Sequence, residues 1–250
     1  MQKLQSLNLK NVAVFVLTIL SFTVSAQRKE LNESLAIADS LFVAQKYTES
    51  FEIYKSIHET GQMASPAMLL KMAFIKEALD DIPNTLYYLN LNYLRTSDES
   101  VLEKMEELAT KHNLKGYDYS EVDFFLNLYY LYHNQVTFGA LALAVLLFAG
   151  IIYRKTRLQV KPITLGVIFI LLNIAVFYSV NFGKEFRQGI VEEGNTYLMS
   201  KPSSSSRVLD IITEGHRLKI VGQNDVWYKV EWNNEPAYIK NNRIQPIYRQ

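Results

Sequence analysis

The chain contains no cysteine in 250 residues. That absence excludes disulfides, a cysteine nucleophile and the lipid-modified cysteine of a lipoprotein. Histidine is scarce as well. His58, His112, His133 and His216 are scattered, and no two of them have metal-ligand spacing. No glycine-rich phosphate loop occurs. Neither charge is in excess: 26 basic residues face 25 acidic ones, for a net charge of +1, which gives no electrostatic case for nucleic acid. The adjacent acids Asp80-Asp81 and Glu106-Glu107 do not share a helix face and read as solvated. With no catalytic set and no cofactor motif, the expectation is a protein that is not an enzyme and has no cofactor or metal.

What the chain does have is long apolar runs. Val136–Tyr153 and Ile163–Phe182 are each long enough to cross a bilayer as a helix, which takes roughly 17–25 residues. The connection, residues 154–162, carries Arg154, Lys155, Arg157 and Lys161 and no acid. A short basic loop stays in the cytoplasm, so those four residues are the topology determinants and both flanks are expected outside. The N-terminus agrees. Lys3 and Lys10 precede the apolar run Val12–Phe22, and Val24-Ser25-Ala26 is a signal-peptidase pattern, so residues 1–26 read as a signal peptide cleaved before Gln27. The expected location is a bacterial inner membrane with both soluble parts in the periplasm. Tyrosine is abundant at 16, and Tyr117, Tyr119, Tyr129, Tyr130, Tyr132 and Tyr153 read as an interfacial aromatic belt against the lipid bilayer.

Residues 27–117 show helical spacing with an internal repeat. Ile37, Ala38, Tyr47, Ser50 and Tyr54 recur 35 residues later as Met72, Ala73, Ile82, Thr85 and Leu89. This resembles tetratricopeptide repeats, although the family's glycine, tryptophan and terminal proline positions are mostly other residues. A third helix, Glu99–Lys111, follows at similar spacing. The resemblance implies an α-helical solenoid whose concave groove is lined by Leu35, Asp39, Phe42, Leu70, Phe74 and Glu77. That face lacks the basic residues that clamp a terminal carboxylate. It suits an apolar partner helix or plain core. Leu35 and Leu70 read as core, and Asp39 and Glu77 as solvated.

Residues 118–135 read as an amphipathic juxtamembrane helix opened by the capping box Ser120-Glu121-Val122-Asp123. Its apolar face of Val122, Phe125, Leu126, Tyr129 and Tyr132 is expected to cap the repeats before the helix continues into the first span, residues 136–153. The second span is residues 163–182.

From residue 183 to 250 the pattern changes to short alternating strands with turn signals. Leu198 leads into the loop Ser200–Ser206, Gly215–Gly222 and Trp227–Val230 read as strands, Asn233-Asn234 as a hairpin turn, and Ala237-Tyr238-Ile239 as a closing strand. These residues resemble a bacterial SH3 domain, a small all-β barrel. Ala237 stands where the family pattern has glycine. A groove between the Ser-rich loop and the Asn224–Tyr228 edge would offer Trp227, Tyr228 and Tyr238 to an extended peptide or cell-wall fragment, though a small barrel needs aromatics in its core too.

The order of parts is leader, helical repeats, a Gly116-Tyr117-Asp118-Tyr119 segment, basic-looped hairpin and terminal SH3 module. In that order it is similar to the BatE family of the Bacteroidetes aerotolerance operon. The resemblance implies a scaffold for membrane proteins with von Willebrand A domains, encoded beside a MoxR-type ATPase. The alternative from the residues is an envelope sensor or a peptidoglycan-binding protein.

Overall fold

The computed structural model describes residues 31–60, 64–118, 121–159, 161–182, 187–233 and 235–247. The expected signal peptide lies outside the described residues, as do Ser120 of the capping box and Tyr119. The chain divides into two units, the first ending at Tyr88 and the second beginning at Leu89.

The first unit holds α1 (residues 31–43), α2 (Tyr47–Glu59), α3 (Pro66–Ala78) and the start of α4 (Ile82–Thr96). Small residues let α1 and α2 approach: Ala38 is fully buried, and the buried Ser50 donates its hydroxyl to the Ala38 carbonyl at 2.8 Å. Tyr54, Leu69, Met72, Ile75 and Leu86 fill the core without measurable exposure. Thr85, the counterpart of Ser50 in the sequence repeat, is also fully buried.

The repeat recurs in the turns. Gln45, Asp80 and Asn113 all have positive φ, of 60°, 59° and 56°. Each ends a helix with the same pair of bonds, from Gln45 N–H to Phe42 and Lys46 N–H to Leu41, Asp80 N–H to Glu77 and Asp81 N–H to Lys76, Asn113 N–H to Thr110 and Leu114 N–H to Ala109. This is the left-handed C-terminal helix stop that satisfies otherwise orphaned carbonyls. After the first two stops a helix begins two residues later, at Tyr47 and Ile82. After the third, which closes α5 (Glu99–Lys111), no helix begins at Lys115. The chain runs instead into a short connector.

In the second unit that connector leads to α6 (Glu121–Thr156), a continuous 36-residue helix, and then to α7 (Ile163–Phe182). The two form an antiparallel hairpin: the Phe148 and Phe169 rings lie 5.9 Å apart, and Tyr129 shares a hydrogen bond with Ser179. Both are long and apolar enough to cross a membrane. Asn173 and Asn181 donate to carbonyls one turn back, Phe169 and Phe177, so these amides are paired within α7. Arg154, Lys155, Arg157 and Lys161 are all exposed at the bend.

The expected capping face of α6 behaves otherwise. Val122 and Phe125 are well exposed, and Leu126, Tyr129 and Tyr132 remain open to solvent. The buried position is Asn127, whose amide donates to the Tyr93 carbonyl at 3.3 Å and Ser97 Oγ at 2.9 Å. The Tyr93 carbonyl also accepts from Ser97 N–H at 2.8 Å, so Asn127 adds a second donor at the end of α4. The apolar stripe is left uncovered.

Seven antiparallel strands follow, β1 (Arg187–Val191), β2 (Thr196–Met199), β3 (Val208–Ile212), β4 (Arg217–Asn224), β5 (Trp227–Trp232), β6 (Glu235–Lys240) and β7 (Ile244–Ile247), in sheet order β3-β2-β6-β5-β4-β1-β7. Alternation on β5 turns Tyr228, Val230 and Trp232 inward to meet Leu198, Leu218, Ala237, Ile239 and Ile244. Burying each large aliphatic side chain contributes about 1.5–3 kcal/mol. Ala237 lies in strand β6 opposite Val230, not in a turn, and its methyl is part of the core.

Candidate functional site

The side chains expected to line the helical groove have different roles in the first unit. Phe42, Tyr47 and Phe74 form a three-way edge-to-face cluster with centroids 5.6–5.7 Å apart. Leu35 and Glu77 are half-buried. Leu70 is 42% exposed and Phe74 50%, so Leu70 is not core: on α3 the buried positions are Met68, Leu69, Met72, Ala73 and Ile75, and Leu70 falls on the opposite face. Asp39 is not merely solvated. Its Oδ1 accepts from Tyr54 Oη at 2.5 Å and Lys71 Nζ at 2.7 Å, joining α1 to α2 and α3. Burial opposes ionisation of Asp39, but these hydrogen bonds outweigh it and hold the carboxyl below its ordinary range. Asp81 likewise pairs with Lys76 at 2.9 Å and accepts from Asn84 at the start of α4.

In the barrel, Trp227 and Tyr228 are adjacent and so point to opposite faces. Tyr228 belongs to the core. Trp227 is buried with the Lys240 ammonium 5.8 Å from its ring. Tyr238 is half-buried opposite Lys229 on β5 and Met199 on β2. The three do not converge on one groove.

The concave surface lies around Trp232, a residue the strand pattern alone does not single out. One cavity of about 400 Å³ runs between edge strand β3 and the β5–β6 turn, lined by Arg207, Asp210, Trp232, Asn233 and Glu235 among others. Trp232 Nε1 donates to Asp210 Oδ2 at 2.8 Å, which fixes the indole as the wall. Nearby on the outer face, Tyr197 and Ile211 are exposed and directly opposite one another. A second cavity, about 490 Å³, lies on the other side of Trp232 and mixes Lys115, Arg217 and Lys219 with Asp118 and Glu231.

That second cavity exists because the connector docks on the barrel. Arg217 N–H donates to the Lys115 carbonyl at 3.1 Å, and Lys115 N–H to His216 Nδ1 at 2.9 Å. Tyr117 Oη donates to the Gly215 carbonyl at 2.8 Å. The Arg217 side chain, 5% exposed, donates through Nε to the Gly116 carbonyl at 2.6 Å and through Nη1 to Asn90 Oδ1 at 3.0 Å, and stacks 4.7 Å from the Tyr117 ring. Burial lowers its pKa to about 10, so it remains charged at neutral pH. Burial pushes the Tyr117 phenol up. Tyr117 is therefore a buried anchor, not a member of an interfacial belt. Two glycines permit the approach. Gly116 has φ +93°, and a Cβ there would lie 2.0 Å from the Arg217 carbonyl oxygen; a Cβ on Gly215, at φ +88°, would meet Leu114 at 2.9 Å.

The site is thus an open, mixed-charge cleft with one aromatic wall beside edge strand β3. Among the described residues no three His, Asp or Glu side chains come together as a metal site. The module this defines is a small antiparallel SH3-like barrel. The bacterial SH3 domain family matches residues 194–245. No curated protein and no solved structure matches the chain.

Proposed function

We propose that this chain is a non-catalytic, membrane-anchored adaptor. Its SH3 module holds an extended ligand in the Trp232 cleft on the same side of the membrane as the segment preceding α6. One observation carries this reading. Residues 114–117, just before α6, interlock with Gly215–Arg217, beyond α7, so the two ends of the apolar hairpin meet at one end of it. Together with Arg154, Lys155, Arg157 and Lys161 at the bend, this favours a cytoplasmic loop and periplasmic modules. The repeated helix stops at Gln45, Asp80 and Asn113 support the tetratricopeptide reading of the helical region. On the BatE resemblance, the partners would be membrane proteins with von Willebrand A domains.

A second reading rests on the bacterial SH3 match: the extended ligand is peptidoglycan. The full chain in mild detergent, incubated with purified sacculi, separates the two. Retention that Trp232→Ala abolishes, with Trp227 fluorescence showing the module still folded, assigns the cleft to cell wall. No retention, with von Willebrand A proteins co-purifying in a Trp232-dependent manner, assigns it to protein. Failure of both overturns the cleft. Topology has its own test. Single cysteines at Glu59, Thr156 and Ser204, all exposed, should react with an impermeant maleimide in spheroplasts at 59 and 204 only. Reaction at 156 would overturn the orientation.

A further inference from the structure

The connector is held by a bond that one proton can remove. Lys115 N–H donates to His216 Nδ1, so that nitrogen carries no proton and the ring's hydrogen sits on Nε2, 3.3 Å from Thr213 Oγ1. The imidazole is buried edge-to-face against Trp232 at 5.5 Å, and the Lys115 ammonium lies over the same indole at 4.9 Å. A protonated His216 would present N–H to N–H at Lys115 and bring a second cation to the ring Lys115 already faces.

We infer that His216 makes the connector–barrel junction an acid-sensitive latch, closed while the imidazole is neutral and released when Nδ1 is protonated. The charged groups around the imidazole are Lys115 from the connector and Asp210 from β3; the adjacent Arg217 guanidinium is turned to Gly116, Tyr117 and Asn90. Asp210 opposes release, but its carboxylate already accepts from Trp232 Nε1 and Ile211 N–H. Burial and then Lys115 lower the imidazole's proton affinity below that of a free histidine. The docked state therefore binds fewer protons than the undocked one. Docking is favoured above the ordinary histidine pKa and weakens as pH falls below it, by up to about tenfold per pH unit for one proton. Because the connector feeds α6, release would free the barrel from the start of the hairpin while leaving its own core intact.

Hydrogen exchange on the full chain in detergent, corrected for intrinsic pH dependence, tests the latch. Protection of the Lys115 and Arg217 amides should fall between pH 7.5 and 5.0, by up to about tenfold per pH unit below the ordinary histidine pKa, while the Tyr228 and Val230 amides in β5 stay protected. His216→Asn keeps an oxygen acceptor near the Nδ1 position without titrating, and should hold the connector closed across that range. His216→Phe keeps the aromatic contact and should leave it open throughout. Connector protection that does not change with pH in the unmodified chain overturns the proposal. So does a His216→Asn profile that falls with pH as the unmodified chain does. Ligand binding measured on the His216→Asn chain, which leaves the Trp232 wall in place, is a separate readout, so latch and cleft fail independently.

Discussion

The Arg217 guanidinium reaches Asn90 Oδ1 at 3.0 Å across 127 positions of sequence. The barrel's buried cation is thus satisfied partly by α4 and partly by the Gly116 carbonyl, neither of which belongs to the barrel. Arg217→Met leaves both acceptors without this donor, at a cost of about 2–4 kcal/mol. Both tryptophans, Trp227 and Trp232, lie in the barrel, so thermal unfolding followed by intrinsic fluorescence reports on this module and should show a lowered midpoint. Arg217→Lys should recover only part of the loss, since an ammonium cannot reproduce the two-directional fork.

Gly116→Ala should undock the connector. The added methyl meets the Arg217 carbonyl oxygen at 2.0 Å in a left-handed backbone, so both sterics and φ oppose it. Gly139→Ala in α6, where a Cβ meets nothing within 4 Å, is the matched control. Exchange protection at Arg217 should be lost in the first variant and unchanged in the second.

Asp39 gives the first unit an acid-side dependence. Its carboxyl is held below the ordinary value in the fold, so its contribution is present above about pH 4 and disappears as pH falls through the lowered folded value. Asp39→Asn should flatten that limb of the stability–pH curve. The loss at neutral pH should be small, roughly 1 kcal/mol or less, because the Asp39 side chain is 43% exposed and screened. Helicity followed against denaturant at pH 3 and pH 7 checks it.

The helix stops offer a gain. Gln45 and Asp80 occupy left-handed positions that glycine prefers. Gln45→Gly and Asp80→Gly should each raise stability by about 0.5–1 kcal/mol, measurable as a higher denaturation midpoint at unchanged slope.

Much of this architecture could be read from residue spacing. α5 has the Glu99–Lys111 bounds read from helical spacing, α7 those of the apolar run Ile163–Phe182, and β5 begins at Trp227 where its strand pattern does. β7 escaped because Ile244-Gln245-Pro246-Ile247 contains a proline. That residue is tolerated because β7, among the described residues, is an edge strand beside β1. The candidate cleft was less legible. Trp227, Tyr228 and Tyr238 stand out by type, but the pleat sends neighbours to opposite faces. The Trp232 wall depends on a bond to Asp210, 22 positions away. The connector's role had one local sign, the Lys115-Gly116-Tyr117 stretch where a helix would otherwise begin. Its partner, Arg217, is 101 positions on, beyond the reach of periodicity.

The unbroken α6 also settles a matter of azimuth. A single helix of 36 residues behaves as a stiff rod about 54 Å long. Asn127, fixed against Tyr93 and Ser97 near one end, sets the angular phase of every residue beyond it. Which lateral face carries Val145 and which carries Phe138 is therefore decided at Asn127. One residue inserted just after it would turn the far part of the rod by about 100° and present a different profile to any neighbouring helix.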